Sequence, residues 1–259
     1  MRAVFCYKPV AGLKGDYIHY KPLSESFFKL ARLSVKTISQ YYKTYFYTDF
    51  DTANLFKENG LSFNEVIILN ELENNTFRNY AIPKMYTMVS QEQPFIMFDF
   101  DTILDEKLDE RSDIVYAYYE ADFTSYFNPH TFDYIKESYI EPFNNILSKY
   151  YDEGFVKGID WRRYPNFSAI MINDVLIPKM CYGDLMNKVP LEVIESLPPT
   201  LIEQFLLHQY VLNHGKTYST YLESFTDMDK LEKKSMYHIS INHDDFEKIY
   251  DKVEKFINE

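Results

Sequence analysis

The sequence predicts an α/β fold: a mostly parallel central sheet flanked by helices, with a smaller C-terminal region. Two observations carry the prediction. Short apolar runs of strand length, at residues 2–7, 43–47, 65–69 and 94–98, alternate with stretches of helical periodicity. That alternation is the pattern of βαβ units, whose crossover helices join parallel neighbours. At 259 residues the chain is also long enough to bury a core without disulfides or a structural metal.

The elements follow in order. Residues 2–7 (RAVFCY) form the first strand. A helix is expected from Ser24 to Tyr42, with Leu23, Phe27, Leu30, Ala31, Ile38 and Tyr41 on one face. Lys43–Tyr47 is a second strand that closes on Thr48 and Asp49. Thr52–Glu58 reads as a helix stopped by Gly60, and Glu65–Leu69 as a third strand. Pro83 suits the first turn of a helix through Met85 and Met88, where its missing N–H costs nothing. Pro94–Phe98 is a fourth strand.

Past residue 112 the periodicity loosens. Ile114–Tyr119 and Phe167–Ile172 are predicted strands, and Pro129–Tyr151 and Thr200–Asn213 predicted helices. A strand at Ser235–Ile241 and a helix at Asp244–Ile257 complete the chain. No repeat or low-complexity linker divides it, so residues 1–259 read as one domain.

Composition narrows the partners. The formal net charge is -12, from 27 basic and 39 acidic residues, and the basic pairs Arg162-Arg163 and Lys233-Lys234 are isolated. Such a surface disfavours a duplex nucleic-acid partner without excluding one. No apolar run is long enough to cross a bilayer, and the four-residue apolar run near the N-terminus reads as too short for a signal peptide. Cys6 and Cys181 have neither metal-type nor redox spacing and read as buried free thiols. The expectation is a cytoplasmic protein with no membrane partner. Aromatic residues are 18% of the chain, enough for some tyrosines to line a sugar cleft, where a ring offers an apolar face and a hydroxyl.

The most informative stretch is Pro94 to Leu104, PFIMFDFDTIL. A buried strand here delivers Asp99 and Asp101 at its carboxyl end, the edge where open α/β sheets bind ligands. Two carboxylates this close repel unless a cation lies between them. A hard divalent ion, Mn2+ or Mg2+, relieves that repulsion and keeps positions open for diphosphate oxygens.

This run resembles the DxD motif of GT-A glycosyltransferases, which have a Rossmann-like sheet. The resemblance implies a nucleotide-sugar-binding half at residues 1–104 and an acceptor-side half with C-terminal closure at 105–259. It implies that Asp99 and Asp101 hold the metal, Asp99 also meeting the donor. Arg78–Met88 (RNYAIPKMYTM) is similar to the helix before the motif, which makes Lys84 and Arg78 donor-binding candidates. Thr48 and Asp49, at the end of the second strand, join them.

Downstream, Tyr164–Asp174 (YPNFSAIMIND) resembles a strand of glycogenin-like enzymes and makes Asn166 a donor-side candidate. It departs from that pattern at Ala169, where Gly is usual. Thr200–Val211 resembles a helix that brings an acid and a Gln to the reacting sugar, implying a catalytic Glu203 and an acceptor-side Gln204. Tyr237-His238 resembles the late metal-ligating histidine, although the Gly and Lys that normally follow are missing. The third ligand is therefore His238 or His243. Trp161 is a candidate acceptor platform.

The implied reaction moves a hexose or pentose from a nucleoside-diphosphate sugar to an acceptor hydroxyl of unstated class, with stereochemistry open. Two rivals stand beside it. The same run resembles the first motif of haloacid-dehalogenase-type phosphatases, with Asp99 as nucleophile, but Ile103 occupies the usual Thr/Val position. A non-catalytic sugar-nucleotide-binding domain is the other.

Overall fold

The computed structural model describes residues 1–10, 23–109, 111–120, 141–151, 164–222 and 236–238. Four parallel strands form one side of a seven-stranded sheet: β1 (Arg2–Cys6), β2 (Lys43–Thr48), β3 (Glu65–Ile68) and β4 (Phe95–Phe98). Beyond β4 lie β6 (Ile114–Glu120), β7 (Tyr164–Ile172) and β8 (Tyr218–Thr220), giving the order β3-β2-β1-β4-β7-β6-β8. β7 runs antiparallel to both its neighbours, and β8 is parallel to β6, so every strand but β7 points the same way. The short β5 (Thr102–Leu104) pairs antiparallel with β9 (Met236–His238) in a separate two-stranded ribbon. The fold is α/β and Rossmann-like, with a mostly parallel sheet covered on both faces.

Strand alternation builds the two faces. Val4, Cys6, Phe95 and Met97 point into one cluster, shared with α4 (Ala81–Val89), α5 (Glu141–Leu147), α6 (Leu176–Lys188), α7 (Leu191–Ser196) and α8 (Leu206–Asn213). Ala3, Phe5, Ile96 and Phe98 point into the other, under α1 (Glu25–Ile38) and α2 (Phe50–Glu58). Near-continuous burial along β1 and β4 is what a sheet covered on both faces requires. The four-residue helix α3 (Asn70–Glu73) adds the buried Leu72.

Local chemistry sets the boundaries. Ser24 caps α1 by accepting from Phe27 N at 3.1 Å, with Glu25 in the first turn. The helix stops at Ile38, short of the predicted Tyr42, in a turn where the amides of Tyr41 and Tyr42 both donate to Ile38 O at 3.1 Å. The Tyr42 hydroxyl accepts from Leu108 N at 2.9 Å. Gly60, at φ 77, takes the left-handed conformation that ends α2.

Other expectations are met in part. The strand expected at Glu65–Leu69 is present as β3, ending at Ile68, and forms the exposed edge of the sheet, with Val66 45% and Ile68 39% accessible. The helix expected at Pro129–Tyr151 is observed as α5 alone, its first part lying outside the described residues. The helix at Asp244–Ile257 and both basic pairs also lie outside them. The helix at Thr200–Asn213 opens with a π-helical turn, Leu201–Phe205. Among the described residues, no helix is long and apolar enough to cross a membrane.

Candidate active site at the end of β4

The end of β4 is pinned from three sides. Asp99 N donates to Ser168 O at 2.8 Å, and Thr102 Oγ1 donates to the same oxygen at 2.8 Å. Thr102 N closes the turn on Asp99 O at 3.2 Å. The bond from Asp99 continues the antiparallel β4–β7 ladder by one rung past the pair Phe98↔Ala169. On its other side β7 is irregular, its register against β6 shifting between the pairs Tyr116↔Ile170 and Tyr118↔Asn166. Between the acids, Phe100 is 6% exposed and stacks on Phe5 with ring centroids 5.0 Å apart, beside Phe56 at 5.2 Å. Burying that ring contributes about 1.5–3 kcal/mol, enough to fix which way the turn faces.

Lys84, on α4, joins this strand end to the π-helical turn. Its Nζ lies 2.6 Å from Asp99 Oδ1 and 2.9 Å from Glu203 Oε1. The Lys84 and Glu203 side chains are 17% and 3% exposed, against 31% for Asp99. π-turns are rare and recur at functional sites. Here one carries the buried acid, and the Tyr182 hydroxyl holds its backbone by donating to Glu203 O. One ammonium therefore faces two carboxylates, those of Asp99 and Glu203, and one negative charge remains in excess when all three groups are ionised.

Burial opposes the charge on Lys84, but Asp99 and Glu203 outweigh it and hold its pKa well above the ordinary lysine value. Burial, and after the opposing pull of Lys84 the charge on Asp99, push the Glu203 carboxyl upward. The two shifts look contradictory for an ion pair, since one favours and the other disfavours the charged state. One account covers both: two anions stabilise the ammonium, and the more buried anion bears the excess.

The neighbours are held neutral. Burial pushes the Cys6 thiol up to about 12, so it is no nucleophile. Tyr80, whose hydroxyl is 3.4 Å from Thr200 Oγ1, is likewise pushed to about 12 by burial and then by Glu203. Gln204 Oε1 is shielded from solvent and accepts no hydrogen bond among the described residues.

Asp99 and Asp101 offer the hard oxygen donors that Mg2+ or Mn2+ takes when most of its remaining ligands are water and phosphate. Among the described residues, no group of three His, Cys, Asp or Glu side chains is placed to hold a metal alone. The β5–β9 ribbon pairs His238 with Thr102, so the backbone of the candidate third ligand returns beside the acid turn. His243 lies outside the described residues.

The other candidates are placed as follows. Thr48 Oγ1 donates to Tyr7 O at 2.6 Å. Asp49 caps α2 through Thr52 N at 3.0 Å and Thr52 Oγ1 at 2.7 Å, and pairs with Lys8 at 3.2 Å. Asn166 is buried, its Oδ1 accepting from Ser168 N at 2.8 Å, which supports the carbonyl that pins Asp99. Arg78 is exposed, with its backbone N donating to Glu195 Oε1 at 3.2 Å, and no ion pair among the described residues joins it to Asp99 or Glu203. Trp161 lies outside the described residues. Sequence reasoning missed Ser168, Tyr80 and Tyr182. For the two tyrosines the sole signal was an aromatic content too general to single them out.

No protein-family model matches the chain, and no curated protein does. Among solved structures, the chain is similar to the inositol-1-phosphate CTP transferase from T. maritima, with a TM-score of 0.47 and 10% identity. That similarity covers 98% of this chain and 95% of the other. So distant a likeness carries no argument about substrate or chemistry.

Proposed function

We propose that the chain is a metal-dependent glycosyltransferase of the GT-A kind, moving a sugar from a nucleoside-diphosphate donor to an acceptor hydroxyl. The observation that carries the proposal is the link from Asp99 at a strand end, through Lys84, to the buried Glu203. The motif at 99–101 and the return of His238 beside Thr102 support the same reading.

Breaking an anomeric C–O bond sends the electron pair into the diphosphate, and the site must meet that charge as it develops. Asp99 and Asp101 would hold Mn2+ or Mg2+, with His238 as third ligand. When bound, such an ion supplies positive charge to the departing diphosphate. Lys84 has three N–H donors and spends two on Asp99 and Glu203, leaving the third for a phosphate oxygen or sugar hydroxyl. Glu203 orients the sugar or takes the acceptor proton, and Gln204 lies beside it on the same turn.

The test is incubation with UDP-, GDP-, ADP- and CDP-sugars, reading release of the nucleoside diphosphate. Release from one donor class is expected, lost in EDTA and in Asp101→Ala. Inertness toward every donor, with phosphomonoester turnover that disappears in Asp99→Asn, would replace this reading with the phosphatase.

A further inference from the structure

We infer that Lys84 makes the site refuse a free divalent cation and accept one already paired with a diphosphate. The inference rests on the metal assignment to Asp99 and Asp101 proposed above. Lys84 Nζ sits 2.6 Å from Asp99 Oδ1, so a cation bound to the same carboxylate would stand close to the ammonium. Ions of this kind lie about 2.0–2.6 Å from their oxygen ligands, so the two cations share one anion. In a half-buried site that repulsion is poorly screened.

Lys84 has no inexpensive way to withdraw. Its second bond, 2.9 Å to Glu203 Oε1, holds the countercharge of a carboxylate that is only 3% exposed. Moving the ammonium away would strand that buried anion, the more costly arrangement. The site thus attracts a cation through two acids and repels it through a fixed lysine.

A diphosphate changes the balance. Its oxygens take the remaining ligand positions on the metal and accept from the third N–H of Lys84, so ion and lysine become partners of one anion. The coupling is reciprocal: metal raises affinity for diphosphate, and diphosphate raises affinity for metal. Lys84 then acts as a selectivity residue, favouring the metal–diphosphate pair over the ion alone.

The experiment measures binding of Mn2+ alone, and of preformed manganese pyrophosphate, to wild type and Lys84→Met. Lys84→Met is expected to bind Mn2+ alone about tenfold more tightly than wild type, within the range typical of site coupling. Manganese pyrophosphate is expected to show the opposite order. Asp101→Ala, added to Lys84→Met, should abolish the gained Mn2+ binding. If Lys84→Met, which leaves the buried Glu203 without its countercharge, does not fold, Lys84→Met/Glu203→Gln removes the stranded charge and should show the same two orders. Equal Mn2+ affinity in wild type and variant, still dependent on Asp101, would overturn the inference and leave the metal site standing. The same holds if the variant binds both probes more tightly. Mn2+ binding to neither protein would remove both.

Discussion

Asp49 follows β2 and Asp99 follows β4; each leaves a parallel strand at the same edge of the sheet and meets a lysine. Lys8 lies 3.2 Å from Asp49, and Lys84 lies 2.6 Å from Asp99. Their other bonds differ in range. Asp49 is completed by Thr52, three residues on, through both backbone and hydroxyl. The turn at Asp99 is completed by Ser168, while its lysine is shared with Glu203, 119 residues beyond Lys84. The first arrangement is balanced, one charge against one, and its helix end is satisfied within three residues. The second draws on four elements and keeps an excess of negative charge. A strand-end aspartate is thus not a site by position alone; what separates the two is uncompensated charge assembled from distant segments.

That contrast can be broken by mutation. The largest stability effect should come from Asp49→Ala, which removes a cap and an ion pair and should cost about 1–2 kcal/mol at neutral pH. Burial raises the Asp49 carboxyl, but the bonds from Thr52 and the charge of Lys8 outweigh it and set the folded pKa below the ordinary value. A lowered folded pKa gives stability that is present above the unfolded pKa and is lost as pH falls through the folded one. Denaturant curves of wild type and Asp49→Ala should therefore draw closer in acid below the ordinary carboxylate range. A gap that is constant with pH would show that Asp49 acts by packing.

The counterpart is Asp99→Ala. It leaves Lys84 and Glu203 as a neutral pair and relieves carboxylate repulsion, so the melting temperature should hardly move while metal-dependent transfer is lost. A destabilisation matching that of Asp49→Ala would erase the distinction between the two strand ends. Smaller still is His238→Ala. Loss of one neutral ligand should weaken Mn2+-dependent nucleotide binding only partly and be rescued by excess Mn2+, while His243→Ala should have no effect. The reverse result would assign the ligand to His243.

Sequence alone revealed β1, β2 and β4, because strands covered on both faces need apolar residues at nearly every position. It also placed Asp99 and Asp101 at the end of a buried strand, while Lys84, which the structure puts 2.6 Å from Asp99, was singled out only by the resemblance of Arg78–Met88 to the helix before that motif. It did not reveal that β7 runs antiparallel, because a buried run such as Phe167–Ile172 carries no mark of direction. The three-residue strands β5 and β8 are too short for alternation to register. The joining of Lys84 to Glu203 was hidden because a π-turn shifts helical phase without a sequence signature. The role of Ser168 was hidden because its backbone carbonyl does the work, and any residue type has one.

If the end of β4 binds a nucleoside diphosphate through a metal, the melting temperature should report it, measured with UDP, GDP, ADP or CDP, each with and without Mn2+. One of the four should raise it only when Mn2+ is present. At a hundred times the dissociation constant the added stability is about 2.7 kcal/mol, a readily measured shift. An equal rise without the metal, or no rise with any of the four in its presence, would contradict binding through a metal.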